Sequence, residues 1–316
     1  MGISLILPNA DFSQNNIGTV HFEKSPAEKI AEYVSNYAIA IGTTAYNEAI
    51  TALFTSLVET GLDTKLFTLY PMLGDTLAKQ KVNALNPGVK DLYLNSYQAS
   101  VVNNVLTFDK IGVGDCSTYA TPITDSNDFS MFMVYNLEGS NSSSIGCPFA
   151  CYNQSAGRYS GLSHSFSAGS NTPSNVKIYN NTNSSSFGDP AFESDAFSPN
   201  NQINTIYFCQ KVTQALEGVN VVQTGKFNNS SDYTNTVNFT TDTEELARPN
   251  TILGFLYYKS SVKDSVPGES QSGSSSYFFK GNFHFYAIGN LSMEENATLK
   301  TIAGTFLNDV KNIEIV

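Results

Sequence analysis

Apolar residues recur along this chain with two different periods, and the change falls near residue 90. Between residues 43 and 61, Tyr46, Ala49, Ile50, Leu53, Phe54, Leu57 and Val58 return every three or four positions. That spacing winds them onto one face of a helix, and Gly61 stands where a left-handed terminating residue belongs. An earlier helix is signalled by Ser25-Pro26-Ala27-Glu28 and is predicted to run to about Ile41, with Gly42 ending it. Its signals are a capping hydroxyl, a proline at the first helical position and an acid in the first turn. A third short helix is predicted from Thr64 to Tyr70, halted by Pro71, and Leu73 to Lys79 reads as a turn or brief helix. So small a helical hairpin cannot hide its apolar residues alone. It is predicted to pack on another domain or on copies of itself, with Ile50, Leu53, Phe54 and Leu57 as the oligomerisation face.

From about residue 91 the period shortens to two. Predicted strands are Tyr93 to Tyr97, Val105 to Phe108, Phe129 to Leu137, Gly161 to Phe166, Ser174 to Tyr179, Gln202 to Lys211, Val219 to Phe227, Ile252 to Lys259 and Tyr277 to Ile288. Clusters of Gly, Asn, Ser and Pro separate them. The Asn/Ser/Thr stretches at 139–144, 180–186, 228–236 and 268–276 read as loops. Near the end, Ser292 and Glu295 form a capping box for a short helix whose apolar side is Leu299, Ile302, Ala303, Phe306, Leu307 and Val310. Three regions result: an N-terminal arm (1–24), a helical oligomerisation or connector segment (25–90) and a mainly β region (91–316). Turn-punctuated strands with no fixed-period repeat predict a β-sandwich there.

Composition removes several functions. The chain has 316 residues, a net charge of −11 and only 14% charged residues, so the polar surface rests on Asn, Ser and Thr. Two arginines, Arg158 and Arg248, leave almost no bidentate phosphate contacts, which excludes nucleic acid. No apolar run approaches the ~20 residues of a membrane span. Met1 to Pro8 has no basic region or long apolar core, so it does not read as a secretory signal, and Ile6 departs from a myristoylation pattern.

Candidate chemistry is sparse. Cys116, Cys147, Cys151 and Cys209 have no zinc or disulfide spacing and read as small buried thiols. Paired acids at i and i+2 occur at Glu193-Ser-Asp195 and Asp242-Thr-Glu244. The first approaches the Glu-x-Asp-x-x-Glu pattern of laminarinase-type sandwich glycosidases but has Ser198 at the last position, so both read as solvated loops. His21, His164 and His284 offer no nucleophile–base arrangement, and no phosphate-cradling glycine loop opens a helix. No cofactor is implied. Calcium is the one metal that the turn residues Asp125, Asn127, Asp128 and Asp189 would suit, although such residues serve turns equally well. Tyr152, Tyr159, Tyr179 and Tyr233, in or beside amide-rich loops, are the candidate glycan platform, with covering of the sandwich rim as their structural alternative.

The stretch from Tyr46 to Leu85 resembles a module of tailed-bacteriophage structural proteins, through Gly61-Leu62, Leu69-Tyr70-Pro71, Gly74 and Lys81-Val82-Asn83. The strands that follow, ending in a short helix after Ile288, are similar in kind to a concanavalin-like (laminin-G-like) jelly roll. The resemblance implies a non-enzymatic virion component such as a head or tail fibre, an appendage or a decoration subunit. Its N-terminal region would attach to other virion proteins, its helices would make a dimer or trimer, and no catalytic residue is carried over. A glycan-binding adhesin for host-surface polysaccharide is the alternative, and a polysaccharide depolymerase resting on Glu193 and Asp195 is a third reading.

Overall fold

In the computed structural model the first helix, α1 (Pro26–Ile41), begins and ends where its local signals place it. The Ser25 hydroxyl accepts the Glu28 N–H at 3.3 Å, Glu28 returns the bond to the Ser25 N–H at 2.8 Å, and Gly42 takes φ 62°. Helix α2 (Asn47–Glu59) follows, closed by Gly61 at φ 70°. The structure describes residues 24–92, 99–108, 118–119, 128–137, 146–153, 158–166, 173–183, 190–194, 202–215, 218–239, 251–255 and 281–315. Residues 1–23 of the arm and the expected strand Tyr93 to Tyr97 lie outside them.

The helix expected from Thr64 to Tyr70 is instead a strand, β1 (Leu66–Tyr70), after a single 3-10 turn at Leu62–Thr64. Five apolar-rich residues are too few for periodicity to separate helix from strand, and pairing decides between them. Here β1 pairs antiparallel with β14 (Gly281–Gly289), from Leu66 opposite Gly289 to Tyr70 opposite Tyr286. The remaining elements, in chain order, are α3 (Leu77–Gln80), β2 (Ala99–Val102), β3 (Val105–Phe108), β4 (Thr118–Tyr119), β5 (Phe129–Leu137), β6 (Gly146–Asn153) and β7 (Arg158–Phe166). Then come β8 (Pro173–Asn183), β9 (Phe192–Ser194), β10 (Ile203–Gln214), β11 (Val219–Phe227), β12 (Tyr233–Phe239), β13 (Thr251–Phe255), β14 and α4 (Met293–Lys311).

These strands form two antiparallel sheets. The larger runs β12-β11-β10-β5-β14-β3-β2, with β1 on the second half of β14, and the smaller runs β4-β13-β6-β7-β8-β9. The chain passes repeatedly between them, as a jelly roll does, and the fold class is the mainly β sandwich expected. Strand β5 shows why it sits at the centre: all nine of its residues are buried. Met131, Met133 and Tyr135 share a core with Val176 and Ile178 of the small sheet. Phe132 and Val134 point the other way, into a second core with the helices. On β14 the pairing register shifts between Phe283 and Phe285, at His284. Phe283 and Tyr286 thus face the small sheet while Phe285 and Ala287 face the helices. The molecule therefore has three layers: small sheet, large sheet, helices.

This arrangement corrects the expected oligomerisation face. Ile50, Leu53, Phe54 and Leu57 are at most 2% exposed, packed in one core with Leu299, Phe306 and Leu307 of α4 and Phe285 of the large sheet. The period had located the apolar face; α4, some 240 residues later in the chain, is what covers it. Helix α4 carries the expected capping box, with Ser292 accepting the Glu295 N–H at 3.2 Å. Two of the amide-rich stretches are partly strand: β8 continues to Asn183, and β12 alternates buried Tyr233 and Phe239 with polar residues along the sheet edge. No helix among the described residues is long and apolar enough to cross a membrane.

Candidate functional site

The face of the large sheet that looks away from its partner is closed by helices, so an extended binding face must be sought on the small sheet. Its register sorts the positions. Phe149, Leu162 and Ile178 stand in one row across β6, β7 and β8. Ile178 is fully buried in the core between the sheets, which fixes that row as inward. The opposite phase holds Ala150, Gly161 and Tyr179 in one row and Tyr152 beside Tyr159 in the next. Positions 152 and 159 therefore lie directly opposed, on the face turned away from the large sheet. Directly opposed residues sit about 4.5–5.5 Å apart. Arg158 opposite Asn153 ends the hairpin beside them.

Of the four tyrosines expected to form a platform, three thus share one face. Tyr179 is there but only 5% exposed, so its ring offers little open surface. Tyr233 is elsewhere: it lies on β12, 8% exposed, stacked on Phe192 at 5.2 Å, with its hydroxyl donating to Gln223 Oε1 at 3.1 Å. Burial pushes its phenol well above the ordinary value, and it serves the core between the sheets rather than a surface. The pairing of 152 with 159 had a local signal that went unread. In sequence, Gln154 to Gly157 is a four-residue, glycine-ending stretch between Gly146 to Asn153 and Arg158 to Phe166, a spacing that predicts a hairpin.

Glu193, one of the paired acids, faces Lys177 in register across β8 and β9 and forms an ion pair with it at 3.0 Å. Lys177 precedes Tyr179 by two residues, so this pair borders the tyrosine rows. Asp195, Asp242 and Glu244 lie outside the described residues, as do Asp125, Asn127 and Asp189. Asp128 is used structurally, accepting the Val212 N–H at 2.8 Å. Among the described residues no group of three His, Cys, Asp or Glu is placed to hold a metal ion.

Asn83 and Gly74 hold the segment that follows β1. Asn83, 1% exposed, accepts the Leu69 N–H at 3.1 Å and the Leu85 N–H at 3.3 Å and donates to the Val89 carbonyl at 2.9 Å. Gly74 has φ 106°, and a Cβ there would meet Lys79 Cβ at 2.5 Å, so only glycine fits. Cys209 is buried against the Leu291 carbonyl and Asn296, and burial raises its thiol to about 11, the inert state expected of a structural cysteine.

No protein-family model matches the chain, and no curated protein matches it in sequence. Solved structures of similar architecture include Trypanosoma rangeli sialidase, at 9% identity and TM-score 0.49, covering 90% of this chain and 39% of that one. The Ruminococcus gnavus IT-sialidase CBM40 domain bound to alpha2,3 sialyllactose is similar at 12% identity and TM-score 0.36, covering 65% and 98%. Peanut lectin follows at 9% and 0.33, covering 64% and 92%. At these values the likeness is one of general architecture, and no residue role passes from it. The chain spans about two-fifths of the sialidase's length. The expectation of a protein without enzymatic activity is corrected here, because sialidases stand among the similar structures. None of the structures named is a phage component.

Proposed function

We propose that the protein binds a glycan on the outer face of its small sheet, with Tyr152 and Tyr159 as the platform. The observation that supports this reading is the β6–β7 register, in which Tyr152 pairs with Tyr159. The apolar C–H side of a sugar ring stacks on such rings, while neighbouring amides and the Lys177–Glu193 pair supply polar contacts at the border. A shallow platform of this kind binds weakly. Covering one tyrosine is worth about 1.5–3 kcal/mol, or about ten- to a hundredfold in affinity. The test is a glycan array followed by titration of any hit against Tyr159→Ala and Tyr152→Ala. Loss of at least tenfold in each is expected. Unchanged affinity in both variants, or no hit at millimolar glycan, would sink the reading.

The setting we propose is the surface of a phage particle, held by the N-terminal region against other virion proteins. Its support is the Gly61-Leu62, Leu69-Tyr70-Pro71 and Lys81-Val82-Asn83 resemblance alone. Mass spectrometry of gradient-purified particles tests it, since absence of the protein from intact particles would remove that setting and leave the glycan face standing.

A further inference from the structure

Helix α4 ends on a lysine whose amine is turned inward. Lys311 is half-buried, with its amine end inside, where Nζ donates to the Met72 carbonyl at 2.7 Å and reaches the His284 carbonyl at 3.5 Å. One amine thus ties three parts of the fold: the last residue of α4, the turn after β1 and strand β14. That turn is under strain. Met72 is fully buried and holds φ 52°, a left-handed conformation that a long side chain keeps only where its surroundings impose it. Among the described residues no carboxylate pairs with Lys311. Asp309 and Glu314 beside it in the chain and Glu48 on α2 are exposed. Asp75, just past the turn, is held by Lys79 at 2.7 Å, and Asp91 accepts the Asn83 and Gly88 N–H groups.

We infer that Lys311 is a proton-operated latch: the neutral amine lies inside and clips the end of α4 to the Met72 turn, and the ammonium swings into water and frees that turn. A buried charge surrounded only by carbonyls is costly. A lysine at the end of a helix escapes that cost by a rotation of its side chain, which lays the stem along the surface and the charge in water. Burial pulls the Lys311 amine from 10.5 down to about 7, so gaining a proton shifts the balance from inside to outside by about a thousandfold. The free side chain takes up its proton as pH falls through 10.5, the enclosed one only at about 7. The latched form is therefore fully favoured above pH 10.5, loses ground as pH falls and reaches its floor near pH 7. The groups around it do not titrate in that window. Burial, and after it the Lys311 charge, keeps His284 neutral down to about 3. Burial also pushes two phenols well above their ordinary value: Tyr37 of α1, which approaches the Leu73 backbone, and Tyr70 at the end of β1.

Competitive acetylation of the full chain between about pH 7 and pH 10, read by peptide mass spectrometry, tests this beside hydrogen exchange at residues 72–74. Lys211, exposed on β10, is the reference amine. Protection of Lys311 relative to Lys211 is expected to rise at least tenfold across that range. Exchange at 72–74, corrected for its intrinsic pH dependence, should slow in step. Lys311→Met has neither proton nor donor, so its turn should exchange at one corrected rate throughout. Flat protection, with Lys311 either enclosed or reactive at every pH, would overturn the inference. So would a turn that still slows with pH in Lys311→Met. Should that variant fail to fold, which circular dichroism reports, the labelling of the wild type decides alone.

Discussion

Acid is expected to destabilise this fold in part through a buried side chain, His284. It is 4% exposed on β14, with Nε2 3.2 Å from Asn136 Oδ1. An amide oxygen only accepts, so Nε2 carries the proton of the neutral ring and Nδ1, buried without a partner, is bare. Protonation would put a second N–H where no acceptor waits. It would also add charge near Lys311, whose ammonium donates to the Met72 carbonyl at 2.7 Å and reaches the His284 carbonyl at 3.5 Å. Burial, and after it the Lys311 charge, pull the His284 pKa from 6.5 down to about 3. The unfolded chain takes up this proton as pH falls through 6.5, while the folded chain resists until about 3. The stability is therefore complete above pH 6.5, declines toward pH 3 and is level below that. Each unit is worth about 1.4 kcal/mol, so the full window amounts to roughly 5 kcal/mol and the part between pH 6.5 and 4.5 to roughly 3 kcal/mol. The assay is urea unfolding of wild type and His284→Asn at pH 7 and pH 4.5; the asparagine amide can donate to Asn136 without ionising. Carboxylates titrate alike in both proteins and cancel in the difference. The variant should lose about 3 kcal/mol less than the wild type on going to pH 4.5. A wild-type-minus-variant difference that stays constant between the two pH values would refute the reasoning.

Two further outcomes separate structural from functional roles. Phe54→Ala, at a fully buried position, is expected to cost about 3–5 kcal/mol in urea unfolding, with the solution mass of the remaining folded protein the same as wild type, because α2 packs inside its own chain. Asn83→Ala removes three hydrogen bonds that tie the connector after β1 and leaves the buried Leu69 N–H unpaired. A loss of about 2–4 kcal/mol is expected, together with faster amide exchange at Leu69.

Features fixed within a few residues could be read directly from the chain. The capping boxes at Ser25 and Ser292, the glycine after α1, and strands β5 and β11 fall where local chemistry places them. A cap needs partners only three residues away; β5, buried on both faces, is apolar at all but Ser130 and Asn136, and β11, with one face buried, alternates. The site was half visible. Tyr152, Tyr159 and Tyr179 stand out as aromatics among amides, but their residue type is the same as that of Tyr233, which lies inside the core between the sheets. Register separates them, and register is set by which strands meet. Likewise the helical period marked Ile50, Leu53, Phe54 and Leu57 as a face in need of cover, and a partner subunit and α4 satisfy that need equally in sequence. The hydrophobic effect is non-directional: it specifies that a surface must leave water and says nothing of what will cover it. Contacts between distant segments, such as α2 on α4 and β1 on β14, arise only when the whole chain closes into its three layers.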